Sequence, residues 1–175
     1  MNNAEYILKK IDNYFYYYLM DYNPLGELIY NYESTSIETI TNALNIIKDR
    51  EVDYSGMTFI DVGSGLGNMC GVAVNMGFHA EGIEINPKAF EMSMKIHPDV
   101  KFHNIDIRDF PNYEKYDIVF YYAPFQNEEM QRKLKTNIED TIRIGSYIIA
   151  WGWYFEKVKD ERFIDLGNYV WQKIS

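Results

Sequence analysis

The sequence predicts an α/β domain in which a mostly parallel sheet is covered by helices on both faces. After Gly56, short apolar segments alternate with amphipathic segments, a pattern typical of repeated strand–helix units. The chain has 175 residues, without an internal repeat or a low-complexity linker. We therefore predict one domain over residues 1–175, with N-terminal helices in 1–50 and the α/β core in 51–175.

Two helices are predicted ahead of the core. Between residues 6 and 19, apolar side chains recur at intervals of three and four, and Asn23-Pro24 ends this segment. The pattern Thr35-x-x-Glu38 is typical of a capping box, and the apolar positions behind it predict the second helix.

Seven strands are predicted in the core, joined by three helices. The five strands of the parallel part are 57–62, 80–85, 100–105, 117–122 and 147–151, and the two strands of the tail are 163–166 and 169–174. The helices are predicted to begin near Gly67, Asn86 and Asn127. Gly167-Asn168 is typical of a hairpin turn, so the tail is expected to form an antiparallel edge of the seven-stranded sheet.

Composition limits the function classes. The net charge of −9 has the wrong sign for a general attraction to phosphate backbones, which disfavours nucleic acid as a partner. Apolar runs are far shorter than the roughly 20 residues of a membrane span, and the N-terminus lacks the pattern of a secretory signal, so a cytoplasmic protein is expected. The single cysteine, Cys70, and the three histidines show no metal-ligand spacing, and no metal is predicted.

The most informative segment is FIDVGSGLGN, residues 59–68, in which an apolar strand leads into a glycine-rich turn and then a helix. At this position in an open α/β sheet, Gly63 and Gly65 let the backbone approach a nucleotide closely. The spacing G-x-G-x-G differs from the G-x-G-x-x-G of dinucleotide sites. The alternative is a tight turn that binds nothing.

Acidic residues follow the second and third predicted strands. Glu84 has the spacing expected of a carboxylate that binds two ribose hydroxyls, although a solvated surface glutamate is the alternative. Glu81 is a poorer candidate because it faces the other way in a period of two. Asp106 follows the third strand, with Asp109 as an alternative acid, and either one could simply cap a turn.

The G-x-G-x-G turn, preceded two residues earlier by Asp61, resembles motif I of class I S-adenosylmethionine-dependent methyltransferases, which have a Rossmann-like fold. The resemblance runs from about residue 35 to 174. It implies S-adenosylmethionine as cofactor, with Asp61 near the ammonium of its methionine part and Asp106 accepting from the adenine amino group. The implied cofactor-binding residues are Asp61, Gly63, Ser64, Gly65, Gly67, Glu84, Ile85, Asp106 and Ile107. The runs FIDVGSGLGN and GIEINP look most like the Dot1-type and related small lysine methyltransferases.

In this family the end of the fourth strand carries the segment that faces the methyl acceptor. Here it reads Tyr121-Tyr122-Ala123-Pro124-Phe125, with the two tyrosines as catalytic candidates by position and residues 123–125 as the substrate segment. It lacks the side-chain acceptor found in many amino-methylating enzymes of nucleic acids. Successive strand residues point to opposite faces of a sheet, so Tyr121 and Tyr122 face different ways. Core packing is therefore the alternative for each of them.

We therefore predict an S-adenosylmethionine-dependent methyltransferase that acts on a small molecule or a protein side chain. The acceptor needs positioning rather than a protein nucleophile, since the cofactor supplies an activated methyl group. If the acceptor is an amine, Tyr121, Tyr122 or water could take its proton. The alternatives are a catalytically silent cofactor-binding module, an aminopropyltransferase-type enzyme and a nicotinamide-dependent oxidoreductase on the same scaffold.

Overall fold

A computed structural model describes residues 36–151 and 160–175 of the chain. The predicted helix at residues 6–19 and the capping residue Thr35 lie outside this described part. The helices in it are α1 (Ile37–Arg50), α2 (Asn68–Asn75), α3 (Pro87–Ile96) and α4 (Glu128–Thr141). The strands are β1 (Thr58–Val62), β2 (His79–Ile83), β3 (Lys101–His103), β4 (Ile118–Tyr122), β5 (Tyr147–Trp151), β6 (Phe163–Asp165) and β7 (Val170–Lys173).

All of these strands belong to one sheet, with the order β3-β2-β1-β4-β5-β7-β6. The pairs among β1 to β5 are parallel, whereas β7 is antiparallel to both β5 and β6. The predicted fold class, with its antiparallel C-terminal edge, is thus confirmed. The chain reverses its direction of travel across the sheet between β1 and β4, and ligands in such sheets bind at this switch point.

The two faces of the sheet are buried in separate hydrophobic cores, because alternate strand residues point to opposite faces. The first core contains Phe59 of β1 and Phe120 of β4, packed with residues of α1 and α2. The second core contains Ile60, Val119 and residues of α4. On β1, this alternation places Asp61 on the face of the first core, two residues after Phe59.

Local capping signals explain two of the four described helix starts. The Asn86 side chain accepts from Lys88 N at 2.9 Å and caps α3, and Asn127 does the same for α4 through Met130 N at 3.0 Å. Helix α1 begins after Ser36, whose side chain makes no capping bond. Among the residues that the structure describes, no helix combines the length and apolar character needed to cross a membrane.

The third strand is shorter than predicted, with three residues instead of six. At its carboxyl end, Asn104 Nδ2 donates to the backbone carbonyl oxygens of Glu84 at 2.8 Å and of Ile85 at 3.1 Å. A side chain therefore takes the place of the next ladder hydrogen bonds. It also ties the segment after β3 to the segment after β2, at the edge of the sheet where the acidic residues lie.

Candidate active site

The turn between β1 and α2 has the backbone shape that its glycines predict. The φ angles of Gly63, Gly65 and Gly67 are +86°, +53° and +79°, values that side chains rarely allow. The N–H groups of Gly63 and Ser64 donate to the carbonyl oxygen of Ile83 at 2.9 Å and 2.8 Å, which anchors the turn to the end of β2. We call residues 63–67 the glycine loop.

Close packing around the glycine loop comes from two rings, His97 just after α3 and Phe102 in β3. A Cβ atom at Gly67 would lie 2.5 Å from the Phe102 ring, and one at Gly82 would lie 2.6 Å from the same ring. A Cβ atom at Gly71 would lie 2.5 Å from the His97 ring. The His97 ring, just after α3, is packed against α2, and burial lowers the pKa of its imidazole. Glycines at these positions therefore make room for neighbouring rings.

Asp61 is the penultimate residue of β1, two residues before Gly63, and is only 2% exposed. Its closest described partner is weak, since the Cys70 thiol is 3.9 Å from Oδ2. Burial, followed by the nearby negative charge of Glu84, raises the pKa of Asp61 to about 8. A cation placed beside Asp61 would reverse this effect, and so the site is electrostatically suited to an ammonium group.

The raised pKa of Asp61 predicts that Asp61→Asn stabilises the folded protein at alkaline pH. The unfolded carboxyl ionises near pH 4, whereas the folded one resists ionisation up to about pH 8, so wild-type stability is lost progressively between these values. Between pH 5 and pH 8 the wild type should lose about 3–4 kcal/mol of its free energy of unfolding relative to Asp61→Asn. Urea unfolding at the two pH values measures this difference.

Asp99→Asn is the control for this prediction, because Asp99 is an exposed carboxyl in the turn before β3. Its stability should follow that of the wild type at both pH values. Parallel pH profiles for Asp61→Asn and the wild type would show that Asp61 is ionised in the folded protein at neutral pH.

Glu84 lies beside the glycine loop, as its position after β2 predicts. Its Oε2 accepts from Gly65 N at 2.8 Å and its Oε1 accepts from Asn86 N at 2.7 Å. Burial raises the pKa of Glu84, and these backbone bonds oppose that rise. Each carboxylate oxygen has two lone pairs, so each retains one for a further donor such as a hydroxyl.

Asp106 lies after β3, with its side chain only 13% exposed. Arg108 donates to its carboxylate, and these hydrogen bonds lower the pKa of Asp106. The sequence reasoning did not identify Arg108 or Asn104 as part of this region. The pattern Asp-x-Arg was the available signal for Arg108, whereas the contacts of Asn104 depend on how β2 and β3 pair.

The end of β4 meets the glycine loop on the other side of the switch point. The Cβ atom of Pro124 lies 3.5 Å from the position of a Cβ at Gly63. Ala123 has a φ of +31°, unusual for a residue with a side chain and typical of functional sites. Phe125 is buried, and its N–H donates to Gln131 Oε1 at 3.1 Å.

Tyr121 and Tyr122 point to opposite faces of the sheet. Tyr121 is 3% exposed in the second core, and burial raises the pKa of its phenol well above the ordinary value. Tyr122 is half-buried on the face of the first core, and its ring centroid is 6.4 Å from that of Trp151. Trp151 in turn packs on Tyr169 with the ring centroids 3.9 Å apart. Of the two tyrosines, Tyr122 is the more exposed at this edge.

Glu81 belongs to a different cluster from Glu84. Its carboxylate contacts His103 Nε2 and Tyr116 Oη, both at 2.7 Å, and Lys115 Nζ at 3.2 Å. Burial raises the pKa of Glu81, but these contacts outweigh burial and lower that pKa to about 2. Tyr116 is part of the second core, so Glu81 faces away from the glycine loop, in agreement with the strand period.

The glycine loop, Glu84, Asp106 and the end of β4 all follow the carboxyl ends of parallel strands and therefore share one edge of the sheet. A sheet of this order with such an edge defines a class I methyltransferase fold. A family profile described as methyltransferase domain matches residues 53–167, and the chain therefore belongs to this family. The predicted protein class, class I methyltransferase, is confirmed. So are the predicted methyltransferase activity and the predicted cofactor, S-adenosylmethionine.

Solved structures share the fold at low sequence identity. An RNA methyltransferase from Salinibacter ruber in complex with S-adenosyl-L-homocysteine is 19% identical, with a TM-score of 0.61 over 81% of this chain and 92% of that one. An S-adenosylmethionine-bound amino pentose methyltransferase from Micromonospora echinaspora is 21% identical, with a TM-score of 0.56 over 73% of this chain and 56% of that one. A search of curated proteins finds no match.

Proposed function

We propose that the chain binds S-adenosylmethionine along the edge formed by the glycine loop, Glu84 and Asp106, and methylates a small molecule or a protein side chain. The observation that carries this proposal is the buried, weakly partnered carboxylate of Asp61 behind a loop of three glycines with positive φ. A buried acid of this kind is costly unless a ligand compensates its charge.

The described residues fit the parts of this cofactor in order. Asp61 is suited to the ammonium of the methionine part, and Gly63, Ser64, Gly65 and Gly67 to the close backbone approach. The Ser64 Oγ is buried over Gly82 and has no hydrogen-bond partner within the described ranges. Glu84 and Ile85 are suited to the ribose, and Asp106 with the Ile107 N–H to the adenine.

The bound cofactor would supply an activated methyl group on a sulfonium, so the protein's own task is to hold the acceptor in line and exclude water. Tyr122 and residues 123–125 are the proposed acceptor wall, because Pro124 packs beside Gly63 at the edge of the glycine loop. Tyr122 is the better candidate to orient an amine acceptor through a hydrogen bond, since Tyr121 is buried in the second core.

The acceptor is proposed to be a small molecule or a protein side chain rather than a nucleic acid. The net charge of −9 supports this choice, as does the absence of a side-chain acceptor at Ala123. The solved structures with this fold include enzymes named for an amino pentose, for plantazolicin and for RNA, so the fold alone does not select an acceptor. A cytoplasmic location and the Dot1-type branch stay predictions.

Calorimetric titration with S-adenosyl-L-homocysteine tests the cofactor proposal, with a circular dichroism spectrum to show that the protein is folded. We expect one site per chain, and a folded protein that binds neither this ligand nor S-adenosylmethionine would refute the proposal. Incubation with methyl-labelled S-adenosylmethionine and fractionated extract then identifies the acceptor. Label in a protein or metabolite fraction is expected, label in nucleic acid would refute the acceptor class, and binding without transfer would favour a silent module.

A further inference from the structure

The Asp106 carboxylate is held by the side chain two residues later. Oδ1 accepts from the Arg108 backbone N–H at 2.9 Å and from its Nε at 3.0 Å, while Oδ2 accepts from Nε at 2.9 Å and from Nη2. The planar guanidinium thus meets the planar carboxylate along two parallel bonds. This arrangement fixes both the position and the rotation of the carboxylate.

The arrangement also determines what Asp106 can offer to a ligand. The Arg108 side chain is 48% exposed and covers the outer side of a carboxylate that is itself only 13% exposed. Arg108 holds the pKa of Asp106 below its ordinary value, so the carboxylate stays ionised and can only accept hydrogen bonds. Three N–H groups of Arg108 occupy three of the four lone pairs of the Asp106 carboxylate, which leaves one for a ligand donor.

We propose that Arg108 is a positioning residue that aims the Asp106 carboxylate at the nucleobase and so makes the site select adenine over hypoxanthine. The proposal rests on the proposed cofactor site. Adenine presents an amino donor where hypoxanthine presents a carbonyl oxygen, and a ring-nitrogen acceptor where hypoxanthine carries N–H. A fixed carboxylate can accept from the adenine amino group while the Ile107 N–H donates to the ring nitrogen. Hypoxanthine would instead place its carbonyl oxygen against the carboxylate and its ring N–H against the Ile107 N–H.

The chain contains a matched copy of this motif away from the glycine loop. In Asp160-Glu161-Arg162, the backbone N–H, Nε and Nη2 of Arg162 donate to the Asp160 carboxylate at 3.0 Å, 3.1 Å and 2.7 Å. Arg162 also pairs with Asp140 on α4 at 2.7 Å. Removing this arginine breaks the same local interaction without touching the proposed nucleobase site.

The test compares the affinities of S-adenosyl-L-homocysteine and its deaminated analogue, S-inosyl-L-homocysteine, by calorimetry. The wild type should prefer the adenosyl compound, and Arg108→Ala should lower the ratio of the two affinities about tenfold. Arg108→Lys should also lower it, because an ammonium keeps the charge but cannot make two parallel bonds. The control Arg162→Ala should leave the ratio within about twofold of the wild type.

The ratio separates positioning from general damage to the fold, since a loosened site would weaken both ligands alike. An unchanged ratio in Arg108→Ala, whether both affinities are retained or both fall equally, would overturn the proposed role of Arg108. A folded wild type that binds neither compound would instead refute the proposed function. Melting temperatures of all variants, measured in parallel, confirm that the compared proteins are folded.

Discussion

Glu84→Gln is expected to weaken the binding of S-adenosyl-L-homocysteine about a hundredfold. The Glu84 oxygens accept from Gly65 N and Asn86 N at 2.8 Å and 2.7 Å, and each keeps a lone pair for a ribose hydroxyl. Glutamine replaces one of these oxygens with an amide donor, which would face a backbone N–H and leave one hydroxyl without an acceptor. For the ligand, one ribose hydroxyl would lose its charged acceptor and the other would meet a neutral amide oxygen, which together cost about 3 kcal/mol, and calorimetry measures the resulting change in Kd.

Glu81→Gln, on the same β2 segment, is the matched control. Its carboxylate contacts His103, Tyr116 and Lys115 on the opposite face, so this variant should lose stability but keep its Kd within about twofold of the wild type. Equal losses of affinity in the two variants would show that Glu84 acts through general stability rather than through the ligand.

Gly67→Ala is expected to lower the free energy of unfolding by about 3 kcal/mol. The φ of +79° alone makes a side chain unfavourable at this position. The added Cβ would also lie 2.5 Å from Phe102 Cζ and 3.1 Å from His97 Cδ2, and a buried ring can move only by disturbing the first core. Urea unfolding of the variant and the wild type measures the loss.

Gly167→Ala separates the two contributions to this loss. Gly167 has almost the same φ, +80°, but a Cβ there would meet nothing within 4 Å. We expect it to cost about 1 kcal/mol, which is the conformational part alone. If both variants lose the same stability, Phe102 and His97 do not constrain the glycine loop.

Local spacing predicted the parts of the candidate site that depend on a few neighbouring residues. A strand followed by G-x-G-x-G predicted the turn, and the topology of parallel strands then brought Glu84 and Asp106 to the same edge. The caps Asn86 and Asn127 were predicted for the same reason, since a cap acts within one helical turn. The binding roles of these residues remain predictions until a ligand is tested.

The parts that the sequence did not predict depend on contacts between distant segments. The shortness of β3 follows from Asn104 reaching the carbonyl oxygens after β2, and no local pattern marks that contact. The packing of His97 against α2 likewise depends on the glycine at position 71, which looked like an ordinary helix residue. Alternation predicted that Tyr121 and Tyr122 would face opposite ways, but only the positions of the helices decide which face is the more buried.

The rings over the glycine loop also have a consequence for the order of folding. Phe102 fills the space above Gly67 and Gly82, yet it is synthesised well after the loop itself. A nascent chain that ends before β3 lacks the ring that completes this packing, whatever its local preference for the turn. Because such non-local contacts form only after the intervening segment has closed, we expect the edge that carries the glycine loop to be completed late, when β2 and β3 have joined β1.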